Sequence, residues 1–159
     1  MKWILRIATV ASMMWSGGLW AQGGQDVVAK LGIDRGGLTI GGEYVIRDTQ
    51  AEGFAGYFSM HSKDEDKGAP GLTAIGGAFR LAQTFGPYEL FLSPGLGVVS
   101  YDFAGEDDLL IGPKVSYGLH AELDPNLALG FENQKLYSWM GEVKGQLADT
   151  FLLTVKFGL

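Results

Sequence analysis

The sequence has no cysteine, which removes disulfides, thiolate metal centres and cysteine nucleophiles at once. An exported chain of this kind depends on its hydrogen-bonded backbone for rigidity. Charge is also sparse: acidic and basic residues make up 19 % of the 159 residues, and the formal balance is −6. That balance argues against nucleic acid as a partner, because a phosphate backbone is held by clustered Lys and Arg. After residue 21 no stretch approaches the roughly 18 uninterrupted apolar residues of a membrane helix. If the mature chain enters lipid it must do so as a closed barrel, since lipid leaves unpaired backbone groups unsatisfied.

What is plentiful is glycine, 25 residues without a collagen period, about twice the usual share. Residues 1–21 read as a cleaved secretory signal, with Lys2 and Arg6 ahead of an apolar run and Ala21 at the cut. Leu19, third from the cut, is larger than the usual residue there. The alternative, a single membrane anchor, is weakened by Ser12, Ser16, Gly17 and Gly18. Removing Lys2 and Arg6 leaves 10 basic against 18 acidic residues, a mature charge of −8. Residues 22–159 form the second unit, one domain.

Period-two alternation runs through that domain. Leu38, Ile40, Gly42, Tyr44 and Ile46 share one face, against Thr39, Gly41, Glu43, Val45 and Arg47. Ile75, Gly77, Phe79 and Leu81 oppose Ala74, Gly76, Ala78 and Arg80. Leu90, Leu92, Pro94 and Leu96 oppose Glu89, Phe91, Ser93 and Gly95. Ile111, Pro113, Val115 and Tyr117 oppose Gly112, Lys114, Ser116 and Gly118, and Phe151, Leu153, Val155 and Phe157 oppose Leu152, Thr154, Lys156 and Gly158. Shorter stretches at 27–33, 54–61 and 127–132 behave alike.

Glu43, Arg47, Arg80, Glu89, Lys114, Glu122, Glu132 and Lys156 all fall on the second face. In a soluble sandwich the polar face meets water and is rich in Lys, Glu and Thr. Here it is dense with Gly, Ala and Ser, the small residues a narrow lumen requires. The predicted fold is therefore all-β: a closed antiparallel up-and-down transmembrane β-barrel, apolar outside and polar within. The alternative for this pattern, a soluble lipocalin-like binding barrel, points the apolar face inward.

Connections divide into two kinds. Residues 84–87 and 124–126 are tight Pro-containing turns, whereas 62–70 (SKDEDKGAP) and 102–108 (DFAGEDD) read as longer acidic loops. Alternating short and long connections mark bacterial barrels, with short turns on the periplasmic side. About nine alternating stretches are countable, and such barrels have an even number. One long extracellular connection within 133–149 gives eight strands; a break elsewhere in that segment gives ten.

These strands resemble the small outer-membrane barrels of the OmpX, OmpW and OmpA-transmembrane type over residues 25–159. The resemblance rests on Ser93-Pro94-Gly95-Leu96-Gly97 within a strand, on residues 123–129 as a turn entering a strand, and on the terminal segment 151–159. The chain ends in Leu159 where that family commonly ends in Phe, with Phe157 two positions earlier on the same face. The resemblance implies the outer membrane of a double-membraned bacterium, with outer-membrane lipid and lipopolysaccharide as surroundings, barrel-assembly machinery as the insertion partner, and a monomer. It implies little about activity, because such barrels include adhesins, small-solute channels and structural anchors.

The candidate site is an interior charge network of Glu43, Arg80, Glu89, Lys114, Glu122, Glu132 and Lys156, because charges in a narrow lumen must pair. An eight-stranded barrel is just filled by its side chains, so the expected lumen is polar and largely plugged. The expected role is structural or surface-interacting, without enzymatic activity, cofactor, metal or catalytic residue. A narrow channel for small solutes is the alternative. A lipid-modifying enzyme is a third, since Ser59, His61 and Ser62 lie together near a strand end but lack an orienting carboxylate. His120 reads as a satisfied interior group. The run Asp64-Glu65-Asp66 could attract a hard cation but lacks spaced ligands and reads as solvated loop. Tyr44, Tyr88, Tyr101, Tyr117, Tyr137 and Trp139 suit interfacial girdles or ordinary sheet packing.

Overall fold

The computed structural model describes residues 24–159; the signal expected at 1–21 lies outside them. Eight strands follow one another: β1 (Gln25–Asp34), β2 (Gly37–Arg47), β3 (Glu52–His61), β4 (Gly71–Phe85), β5 (Tyr88–Phe103), β6 (Glu106–Asp124), β7 (Leu127–Ser138) and β8 (Gly145–Gly158). Each pairs antiparallel with its sequence neighbours, and β8 returns to β1 to close the barrel. Up-and-down order follows from short connections, which allow only adjacent antiparallel pairing. No helix among the described residues is long and apolar enough to cross a membrane.

Eight strands, rather than ten, settle the ambiguous segment. β7 ends at Ser138 and β8 begins at Gly145, with a register irregularity between Leu136 and Tyr137. The reading of 102–108 as a loop is corrected. Phe103 and Glu106 pair directly, and Ala104 and Gly105 form a two-residue turn at φ 55° and 85°. Two left-handed residues match the twist of a hairpin. Ala carries that conformation without the Asn-Gly signature that flags it in a sequence. Residues 62–70 do form a long loop, pinned by Lys63 to Asp102 and Glu65 at 2.8 Å each and by Lys67 to Asp64 at 2.7 Å. The hydrogen bond to Asp102 holds the Lys63 ammonium above its ordinary pKa, and that to Lys67 holds Asp64 below its own. Their cations are supplied by the chain itself, in keeping with a solvated loop.

Which side of the sheet faces inward is unambiguous. Ile40, Ile75 and Leu92 are 43 %, 40 % and 44 % exposed, while Glu43, Arg80 and Lys114 are 3 %, 2 % and 0 % exposed. Space inside is limited, and glycine makes room for the ring of Tyr57. A Cβ added to Gly97 would stand 2.2 Å from the hydroxyl of buried Tyr57, and one on Gly76 2.8 Å from it. Gly97→Ala is expected to destabilise the barrel by about 1–3 kcal/mol through overpacking. Equilibrium urea unfolding in detergent micelles reads this, and an unchanged midpoint would mean the ring moves freely.

Candidate functional site

Parity places a side chain inside; register decides whom it meets. Glu43 on β2 lies centrally, with Lys30 of β1 at 3.0 Å, Arg80 of β4 at 3.4 Å and the Lys114 ammonium of β6 donating to its Oε1. Lys30 also donates to Glu132 of β7 at 2.7 Å. Arg80 passes the chain of charges to Glu89 of β5 at 3.1 Å. Glu89 in turn accepts from Arg47 at 2.8 Å and Lys156 at 2.9 Å, and Arg47 reaches Asp26 at 2.5 Å. His120 Nδ1 stands 3.3 Å from Glu89, and its Nε2 3.0 Å from Thr154 Oγ1. Aromatic faces support the cations: Lys114 lies 4.4 Å over Tyr57, and Arg80 3.8 Å over Phe91, whose ring stacks on His120. Such contacts add favourable electrostatics in a dry site.

Six of the seven residues expected in the lumen are thus joined: Glu43, Arg80, Glu89, Lys114, Glu132 and Lys156. Glu122 is not. It has the right parity but is exposed, two residues from the end of β6, and lines the cavity at that rim. Three members were not counted in the network from sequence: Asp26 and Lys30, which went unassigned, and Arg47, which was placed on the polar face only. Each lies on the polar face of its strand, and Lys30 is the lone cation of an otherwise apolar stretch. That was the available signal.

A second polar cluster sits toward the rim that carries the long loops. His61 Nδ1 is 2.5 Å from Asp34 Oδ2, and its Nε2 is 3.3 Å from Ser59 Oγ. Asp34 supplies the carboxylate the sequence reading lacked. The serine and histidine are nevertheless sealed. Ser59 Oγ accepts from Gln134 Nε2 at 3.2 Å, and His61 Nδ1 also meets Thr39 Oγ1 at 3.2 Å. A cavity of about 450 Å³ opens at this rim and is lined by Asp34, Leu72, Tyr101, Val143 and Leu147, but by neither Ser59 nor His61. Tyr101 therefore belongs to the interior, not to a girdle, and packs, with Val143 and Leu147, against the buried apolar cluster that includes Val99 and Leu110. Tyr88, Tyr117 and Trp139 do face outward.

At the opposite rim a cavity of about 390 Å³ is lined by Asp26, Arg47, Glu89, His120 and Lys156. The two cavities share no lining residue.

Comparison with solved structures decides the architecture. The N-terminal β-barrel domain of Pseudomonas aeruginosa OprF superposes with a TM-score of 0.67 at 12 % identity, covering 88 % of this chain and all of that one. The chain has the fold of the small outer-membrane barrels. Neisserial surface protein A matches at 0.58 and 19 % identity, over 84 % of this chain and 94 % of that one. The Yersinia pestis outer membrane protein Ail, solved in a phospholipid bilayer nanodisc, matches at 0.55 and 12 %, over 87 % and 100 %. No protein-family description and no curated protein matches the sequence. Identities this low speak for the fold alone, because function resides in sites carried on a fold.

Proposed function

We propose that this chain is an integral outer-membrane barrel of a double-membraned bacterium, a monomer with a closed lumen and a structural or surface-interaction role. Outer-membrane lipid and lipopolysaccharide surround it, and barrel-assembly machinery inserts it. The observation that carries this reading is the inverted wall: Leu, Ile and Phe exposed outside, with paired Glu, Arg and Lys buried inside. In water such a continuous apolar girdle is a strong liability, whereas in lipid it is the ordinary outer face of a barrel.

Closure is supported by the unbroken run of charges from Glu132 to Asp26 and by Tyr57 filling the lumen between the two cavities. A non-enzymatic role fits the shielding of Ser59 and His61 from the nearby cavity. The channel reading draws on those same cavities, one at each rim, and the experiment separates the two. Refolded protein is expected to migrate faster on gels unboiled than boiled, and to show no conductance steps in planar bilayers. Discrete steps would replace the closed lumen with a channel. Aqueous solubility without detergent would end the membrane reading.

A further inference from the structure

The lipid-facing wall is apolar along most of its strands but interrupted on β7 and β8. Asn133 and Lys135 take successive outward positions of β7, opposite Phe151 and Asp149 of β8. Asn133 Nδ2 donates to Asp149 Oδ1 at 2.8 Å, and the Lys135 ammonium donates to Asp149 Oδ2. Tyr117 of β6 pairs with Asn133, and Tyr137 follows Lys135 outward on β7. Asn133 pairs with Phe151, Phe151 with Ile33, and Ile33 with Leu38, so it shares a hydrogen-bonded row with three exposed apolar residues. One atom in this polar island is unsatisfied: Asn133 Oδ1 is buried and has no hydrogen-bond partner among the described residues.

We propose that this island docks the headgroup of a phosphorylated glycolipid in the outer leaflet. The inference rests on the membrane reading above, with the termini on the periplasmic side. A lysine or a carboxylate facing hydrocarbon is costly, and the Lys135–Asp149 pair offsets only part of that. A headgroup supplies the remainder. The ammonium matches a phosphate; the Asp149 carboxylate, the Asn133 amide and the phenols of Tyr117 and Tyr137 match sugar hydroxyls. Beside Asn133, Phe151 stacks on Phe131 at 6.0 Å, and Leu153 extends the apolar strip toward the periplasmic end, a platform for acyl chains. Polar partners beside apolar ones, on one strip of wall, fit an amphiphile lying along the barrel.

The test uses wild-type protein and a Lys135→Met/Asp149→Leu variant, each refolded into phosphatidylcholine nanodiscs with or without lipopolysaccharide. Replacing both charges together leaves neither one stranded, so the variant should fold at least as well in phosphatidylcholine alone. Native mass spectrometry then counts lipopolysaccharide carried through exchange into detergent. Wild type is expected to retain it about tenfold better than the variant, the loss matching one or two charge-assisted hydrogen bonds. Equal retention, no retention by either protein, or wild-type dimers that the variant abolishes would each overturn the proposal while leaving the barrel in the membrane. Failure of both proteins to enter any nanodisc would overturn the membrane reading and this proposal with it.

Discussion

Glu43→Gln is expected to cost the folded barrel about 3–5 kcal/mol, the usual penalty for removing one partner of a buried ion pair. Shape is almost unchanged, so packing contributes little. What changes is charge: Lys30, Arg80 and Lys114 converge on this one carboxylate, and the amide leaves Lys114 without a carboxylate while Lys30 and Arg80 keep only Glu132 and Glu89. Urea unfolding in micelles measures the loss. Adding Lys114→Met to the same chain should recover a large share of it, because the most deeply buried of the three cations is then gone. A loss of about 1 kcal/mol or less, typical of solvated pairs, would mean that water fills the lumen and the charges are screened.

The second large effect concerns the outside of the wall. Leu153 is 63 % exposed and lies between Leu31 of β1 and Phe131 of β7. Leu153→Arg is expected to destabilise the barrel in bilayers by about 2–4 kcal/mol, the cost of a cation on the lipid face near the midplane. On a water-facing surface the same exchange falls within about 0.5 kcal/mol. The measurement is unfolding in vesicles compared with unfolding in micelles, where the headgroups are closer. A neutral result in vesicles would place this face in water and reverse the functional reading.

Much of the architecture was legible because a barrel asks each strand residue for parity before identity. Alternation alone sent Glu43, Arg80, Glu89, Lys114, Glu132 and Lys156 to the correct side, and it did the same for Glu122. Parity carries no depth, however. Glu122 has the lumen's parity and the rim's solvent. Nor does parity name partners: that Lys30 bridges Glu43 and Glu132 depends on how β7, β8 and β1 are staggered, and the hairpin turns fix that stagger only one pair at a time. The interruption at Asn133, Lys135 and Asp149 lay within the one segment whose strand break was ambiguous, so its outward face could not be assigned. Asp34 was missed as the partner of His61 because the two are 27 residues apart and meet only once β1, β2 and β3 are laid side by side.

Closure removes free strand margins over most of the height, yet β6 outruns its neighbour. Pairing with β7 starts at Lys114, and a single bridge from Ile111 to Met140 lies beyond it. From 107 to 110 no described strand pairs with that side of β6; Asp108 ties the connection after β7 to it instead, accepting from the Leu109 N–H at 2.7 Å and from the Glu142 N–H at 2.9 Å. A margin left bare would be a template for edgewise zippering between copies. Asp108 thus commits both carboxylate oxygens to backbone donors at that margin, and Gly141 lies close against it and Leu110. One carboxylate thereby does at the tip of the longest hairpin what a ninth strand would otherwise have to do, capping the ladder where it runs out.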